Sequence, residues 1–217
     1  SEIKKRDLIW LVSGMRVSTV TKQLIEDMRD GGCAVINYGM ETGSKKMLKV
    51  MDKVTTVEQN KNTVKWMSET GLYTIIQLVI GMPGETPETI RETIDFTSYF
   101  AEQNPDINPN AVSLNFAQAL PGTPLYESAR RTGKIGQSLD EEEEYLLKIS
   151  DRDARDGETY VNLTDFPKLE LERWHIEIQN TTRHAYINKW GLDKYYQTIL
   201  KLSASEDAGA NSKSIEE

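Results

Sequence analysis

Apolar and polar positions follow two alternating rhythms along this chain. Largely apolar runs of strand length at residues 7–12, 34–38, 73–80 and 111–116 are separated by stretches where apolar residues return every three or four positions. The first such stretch, residues 20–30, places Val20, Leu24, Ile25 and Met28 on one face, and Gly31-Gly32 ends it. A short helix is predicted at 44–51. A longer one begins after the cap Thr56, carries Val57, Val64, Trp66 and Met67, and stops at Gly71. Another spans 87–102, with Thr86 as cap and Pro87 at its first position. Strands separated by helices predict βα repeats around a parallel sheet, an α/β fold.

Beyond residue 135 the strand rhythm stops. Asp140-Glu141-Glu142-Glu143-Glu144 reads as the solvated start of a helix, stabilised by negative charge at its N-terminus. Residues 162–167 read as extended chain feeding a helix over 168–190, with Thr164 or Asp165 as its cap. That helix carries Leu169, Leu171, Trp174, Ile176, Ile178, Ala185 and Ile187, and residues 188–202 either extend it or form a second helix after Gly191. The organisation expected is a βα unit over 1–135, a helical extension over 136–202 and a disordered tail over 203–217, where Ser, Ala, Glu, Asp, Asn and Lys dominate.

Charge and composition narrow the function. A formal charge of −8 over 217 residues disfavours general binding to nucleic acid or to a membrane surface, both of which need a basic footprint. No apolar run approaches the ~18 residues of a membrane span. One cysteine fits a reducing compartment, so a cytoplasmic location is expected. That cysteine, Cys33, follows Gly31-Gly32 at a strand start and reads as a buried, inert residue. His175 and His184 fall on opposite sides of the same helix and cannot share a metal. No serine–histidine or cysteine–histidine pair suggests a nucleophile.

The chemistry concentrates in the loops after the strands. Ile80-Gly81-Met82-Pro83-Gly84-Glu85-Thr86-Pro87-Glu88-Thr89 ends a strand abruptly at a rigid turn, the place where barrels and open α/β sheets bind ligands. Upstream stands Gly39-Met40-Glu41-Thr42-Gly43-Ser44, followed by Lys45 to Met51, Asp52 and Lys53. Downstream stands Leu120-Pro121-Gly122-Thr123-Pro124-Leu125-Tyr126-Glu127. In that order and spacing the three motifs, over about residues 8–135, resemble the later part of a radical S-adenosylmethionine (SAM) enzyme. The resemblance is to the group often joined to a cobalamin-binding domain, which includes methyltransferases and anaerobic porphyrin ring cyclases.

This resemblance implies a partial (βα) barrel, the last four strands of a six-stranded barrel, followed by the C-terminal helical region. It implies SAM as cofactor, a [4Fe–4S] cluster in the full-length parent only, and cobalamin as a further cofactor of the parent. In such enzymes three cysteines of a CxxxCxxC loop hold the cluster, whose reductive cleavage of SAM yields a radical that takes hydrogen from substrate. With one cysteine here, the expectation is a C-terminal piece of a longer enzyme, inactive alone, whose partner is the N-terminal part of the same enzyme. The sheet edge left bare is expected to self-associate.

Six residues are implied at the SAM site. Glu41 follows Gly39 at a strand end and suits the ribose hydroxyls or the amino group. Lys53 matches a basic position for the methionine carboxylate, and Arg16 is a second cation for that carboxylate or a substrate anion. Gln77, polar within an apolar strand, is expected to face the barrel interior and meet ribose, because an unpaired buried amide costs about 1–3 kcal/mol. Ile80 and Gly81 resemble the edge that reads adenine. Asn115, opposite in parity to Leu114 and Phe116, is the candidate for an unknown small-molecule substrate. Ser18 departs from the Arg-Val-Asp common in the family. A catalytically inert binding module of the same fold is the alternative reading. A phosphate-binding barrel enzyme is a third, weakened by the lack of a nearby acid–base set.

Overall fold

The computed structural model describes residues 2–6, 8–149 and 160–200. Helix α1 (Glu2–Lys5) precedes strand β1 (Trp10–Met15), a 3-10 turn at Val17–Thr19 and α2 (Lys22–Asp30). Then come β2 (Cys33–Glu41), α3 (Lys45–Val50), α4 (Val57–Thr70), β3 (Tyr73–Ile80), α5 (Pro87–Ala101) and β4 (Val112–Phe116). Helices α6 (Pro124–Arg131), α7 (Leu139–Lys148) and α8 (Lys168–Trp190) follow, and residues 192–200 are helical. The expected disordered tail lies outside the described residues.

All three strand pairs are parallel and the sheet runs β1-β2-β3-β4 in sequence order. A sequential order with every connecting helix on one side is the winding of a barrel; a doubly wound sheet reverses direction and carries helices on both faces. Helices α2, α4, α5 and α8 pack side by side in that order. The sheet face they cover buries Ile36, Tyr38 and Met40 from β2, Ile76, Leu78 and Ile80 from β3, and Leu114 and Phe116 from β4. The opposite face, turned to what would be the barrel interior, carries Asn37, Gly39, Glu41, Ile75, Gln77, Ser113 and Asn115, all half-exposed.

The helix ends follow local chemistry. Thr56 accepts from the Gln59 amide while the Gln59 side chain bonds back to the Thr56 N–H, and Thr86 forms the same reciprocal box with Thr89. Gly71 ends α4 at φ 72°. The acidic run forms the first turns of α7 behind the cap Ser138.

Three expectations need correction. The first strand is Trp10–Met15 rather than 7–12, and it is covered on one face only: Trp10, Val12 and Met15 pack against the core, whereas Leu11 is 63% exposed and Leu8 and Ile9, ahead of the strand, are 54% and 81% exposed at the sheet edge. The cap of α8 is Pro167, with no side-chain bond, rather than Thr164 or Asp165. Thr164 is already engaged: its hydroxyl donates to Asn162 Oδ1 at 2.7 Å and accepts from the Phe166 N–H at 3.2 Å, which makes a tight turn before the helix. On α8, Leu169 and Ile176 face solvent, whereas Leu171, Trp174, Ile178, Thr182 and Tyr186 are buried. Thr182 and Tyr186 continue the 3.6-residue stripe that packs on α5, which Leu169 and Ile176 fall outside.

Candidate functional site

The carboxyl ends of β1, β2 and β3 open into a cleft of about 590 Å3. Arg16, Glu41, Lys53 and Gln77 all line it, with Ser18, Gly39 and Pro124 among their neighbours. These four come from different elements: the turn after β1, the end of β2, the loop after α3, and the middle of β3.

Glu41 and Lys53 meet. Lys53 Nζ donates to Glu41 Oε1 at 2.8 Å, with the lysine more exposed than the carboxylate. A side chain on Gly39 would come within 2.9 Å of that same Oε1, so glycine there lets the carboxylate fold back over the strand. Glu41 itself sits at φ 64°, a left-handed conformation that L-residues with side chains rarely adopt. Gln77 stands beside Gly39 in the β2–β3 register and beside Ser113 on β4, and its amide makes no hydrogen bond among the described residues. The Arg16 guanidinium likewise has no ion-pair or hydrogen-bond partner among them. The cleft thus offers one carboxylate–ammonium pair, one unengaged guanidinium and one unengaged carboxamide. That donor set suits a ligand carrying both charges and hydroxyl groups.

Three expected site residues lie elsewhere. The Ile80 side chain is fully buried under the helices, and its carbonyl accepts from the Ala117 N–H at 2.8 Å. Gly81, at φ 88°, faces Leu171 of α8, where an added Cβ would come within 3.1 Å. The Gly81 N–H is taken by Glu85 Oε2 at 2.5 Å. The backbone edge expected to read adenine is therefore engaged internally, and neither residue lines the cleft. Asn115 shares the inner face with Gln77 but stands one strand further, outside the cleft lining. Its Nδ2 donates to Ser113 Oγ at 3.4 Å and its buried Oδ1 has no partner.

Glu85 is a functional candidate that the sequence reading left unassigned. It is 2% exposed, its Oε2 accepts the Gly81 N–H across the turn, and its buried Oε1 has no partner. Burial raises its pKa to about 7 against the opposing pull of the loop's backbone N–H dipoles and of Lys46. The signal available was a carboxylate set within a glycine–proline turn whose N–H groups need an acceptor.

Cys33 is buried and free, and burial pushes its thiol pKa up, opposite to what a metal-ligating thiolate needs. Three thiolates are required for a site-differentiated [4Fe–4S] cluster, so the cysteine content of this chain does not fit that group. His175 is half-buried, stacks on Phe116 and places Nε2 3.1 Å from the Leu114 carbonyl on the free edge of β4; His184 is exposed. No group of three metal-ligating side chains occurs among the described residues, and no described helix is long and apolar enough to cross a membrane.

Fold and cleft together define a segment of a parallel (βα) barrel with an open cleft at the carboxyl ends of its strands. Residues 2–97 match the Radical SAM superfamily. An uncharacterized methyltransferase of Pyrococcus horikoshii is 30% identical over 123 residues, which cover 57% of this chain and 25% of that protein. The anaerobic magnesium-protoporphyrin IX monomethyl ester cyclase of Cereibacter sphaeroides is 29% identical over 109 residues, covering 50% of this chain and 17% of the cyclase. The radical SAM methyltransferase TsrM from Kitasatospora setae, solved with cobalamin and a [4Fe–4S] cluster bound, superimposes with a TM-score of 0.48 at 22% identity. That match covers 62% of this chain and 25% of TsrM. The chain thus spans a quarter or less of the length of these proteins.

Proposed function

We propose that the cleft is the SAM-binding half-site of a radical SAM enzyme. The observation that carries this reading is the convergence of Arg16, Glu41, Lys53 and Gln77 on one cleft. Glu41 takes the ligand's amino group or a ribose hydroxyl. Arg16 and Lys53 face its carboxylate, and Gln77 supplies a neutral donor and acceptor to the ribose. A volume of about 590 Å3 lies within the range of small-molecule sites. The Glu41–Lys53 pair holds its own charges until a zwitterion exchanges for them, so binding trades one ion pair for two charge-assisted contacts.

In the whole enzyme a reduced [4Fe–4S] cluster with SAM supplies radical chemistry, and the cysteines that hold it stand outside these 217 residues. The role of this chain is to bind and orient SAM and to present the inner face with Asn115 to a small-molecule substrate. Relatives that are a methyltransferase and a ring cyclase support methyl transfer or ring-forming oxidation as the outcome, with cobalamin as a further cofactor of the parent. The bare β1 edge is where the remaining strands of the barrel add. Calorimetric titration of the chain with SAM tests the reading. Saturable binding that Glu41→Ala weakens by roughly 10- to 100-fold agrees with it, the loss of a charge-assisted contact being about 1.5–3 kcal/mol. Absence of binding, or binding indifferent to Glu41 and Arg16, contradicts it.

A further inference from the structure

One buried carboxamide lies beneath the cleft and touches both of its walls. Asn60, in the first turns of α4, is fully buried. Its Nδ2 donates to the Met40 carbonyl at 3.0 Å, and its Oδ1 lies 3.5 Å from Thr55 Oγ1. Met40 is the residue that the β2–β3 ladder skips: Gly39 pairs with Gln77 and Glu41 with Leu78, so β2 carries one extra residue at this point. A bulge of this kind turns the following side chain in a new direction, and Glu41 leaves it in the left-handed region. Thr55 closes the loop that presents Lys53 and also lines the cleft. Asn60 therefore joins the bulge that aims Glu41 to the loop that carries its partner.

Packing alone gives no reason for an asparagine here. Position 60 shares a helix face with Val64 and Met67, both in the core, and an apolar residue would bury there without a polar group to satisfy. The bonds account for it. At the bulge the Met40 carbonyl accepts both from the Thr42 N–H at 2.8 Å and from Asn60, so both of its lone pairs are used. The Thr55 hydroxyl is shared between Asn60 Oδ1 and Gln59 Oε1, the latter at 3.4 Å.

We propose that Asn60 is a positioning residue: it acts through Glu41 and Lys53 and holds the two charged walls at the separation that meets one zwitterionic ligand. The identity of that ligand rests on the SAM reading above; the coupling of the two walls does not. The test uses the full chain with Asn60→Leu, which keeps the volume and removes both bonds, and Asn60→Asp, which turns an acceptor toward the Met40 carbonyl. The first readout needs no ligand. Glu41→Gln and Lys53→Met are combined in a double-mutant cycle read by urea midpoint, which is expected to be non-additive in the parent chain and additive in the Asn60→Leu background. The second readout is SAM affinity, expected to fall about tenfold with Asn60→Leu, as for removal of a supporting residue behind a ligand contact, and further with Asn60→Asp. If Asn60→Leu lowers stability while the cycle stays non-additive and SAM affinity is unchanged, Asn60 is a core residue only and the proposal is overturned. If the parent chain does not bind SAM, the ligand reading fails and the cycle still decides the clamp. Should the Asn60 variants not fold, Thr55→Val decides: a weakened cycle supports the clamp, an intact one overturns it.

Discussion

Glu41 holds a conformation that works against stability. A non-glycine residue in the left-handed region costs about 1–2 kcal/mol, and its ion pair with the half-exposed Lys53 returns only about 0.2–1 kcal/mol. Strain of this kind persists where the surroundings enforce it, and it gathers at ligand sites. Replacing Glu41 by glycine releases the strain; replacing it by alanine keeps the strain and loses the pair. Glu41→Gly is therefore expected to be more stable than Glu41→Ala, by on the order of 1 kcal/mol in urea unfolding, with both variants weakened toward SAM. Equal stability of the two would mean that φ 64° carries no cost here. The same residue scale explains which site positions were legible. Gln77 was placed correctly on the inner face because a polar residue in an apolar strand stands out. Ile80 is three residues further, so strand alternation turns it to the opposite face, under the helices. Its motif gave a resemblance to an adenine-reading edge; its parity already argued against a side-chain contact. Asn60 was equally readable as a polar residue on the apolar face of α4, but what it bonds depends on a bulge that no local pattern announces.

At the scale of elements, strands β2, β3 and β4 and helices α4 and α5 were legible to within a few residues, since cap residues and glycine stops mark their ends. The first strand was misplaced because Leu8 and Ile9 are apolar for a reason other than burial in this chain: they lie on the approach to an uncovered edge. That edge is expected to pair with a second copy. Sedimentation over a wide concentration range should show association that Leu11→Lys reduces, whereas a strictly monomeric parent chain would rule out an unprotected edge. The loop after β3 carries its own pH dependence. Glu85 has a folded pKa of about 7, above its ordinary value of 4.5. The folded state therefore binds this proton more tightly than the unfolded state. The stabilisation is complete below about pH 4.5 and is lost as pH rises toward 7, a change on the order of 3 kcal/mol. Glu85→Gln, which stays neutral, is expected to flatten that part of the stability–pH curve. A curve with the same slope in the variant would assign the dependence to other groups.

For the molecule as a whole, α8 belongs to the main core rather than standing apart from it. Leu171, Trp174 and Ile178 pack with the sheet residues, and Leu171 closes over Gly81. The sequence could not show this, because the stripe of α8 is completed by Thr182 and Tyr186, which a count of apolar residues passes over. The central claim is that this barrel segment binds SAM in the cleft at its strand ends. Its most direct test is an amide NMR titration of the isotope-labelled chain with S-adenosylhomocysteine, a stable stand-in that keeps the amino acid, ribose and adenine. Saturable shift changes concentrated at residues 14–18, 39–41, 51–55 and 77 are the predicted result. Changes centred on another face, or no saturable change at millimolar ligand, on the order of the weakest specific affinities, would contradict the account.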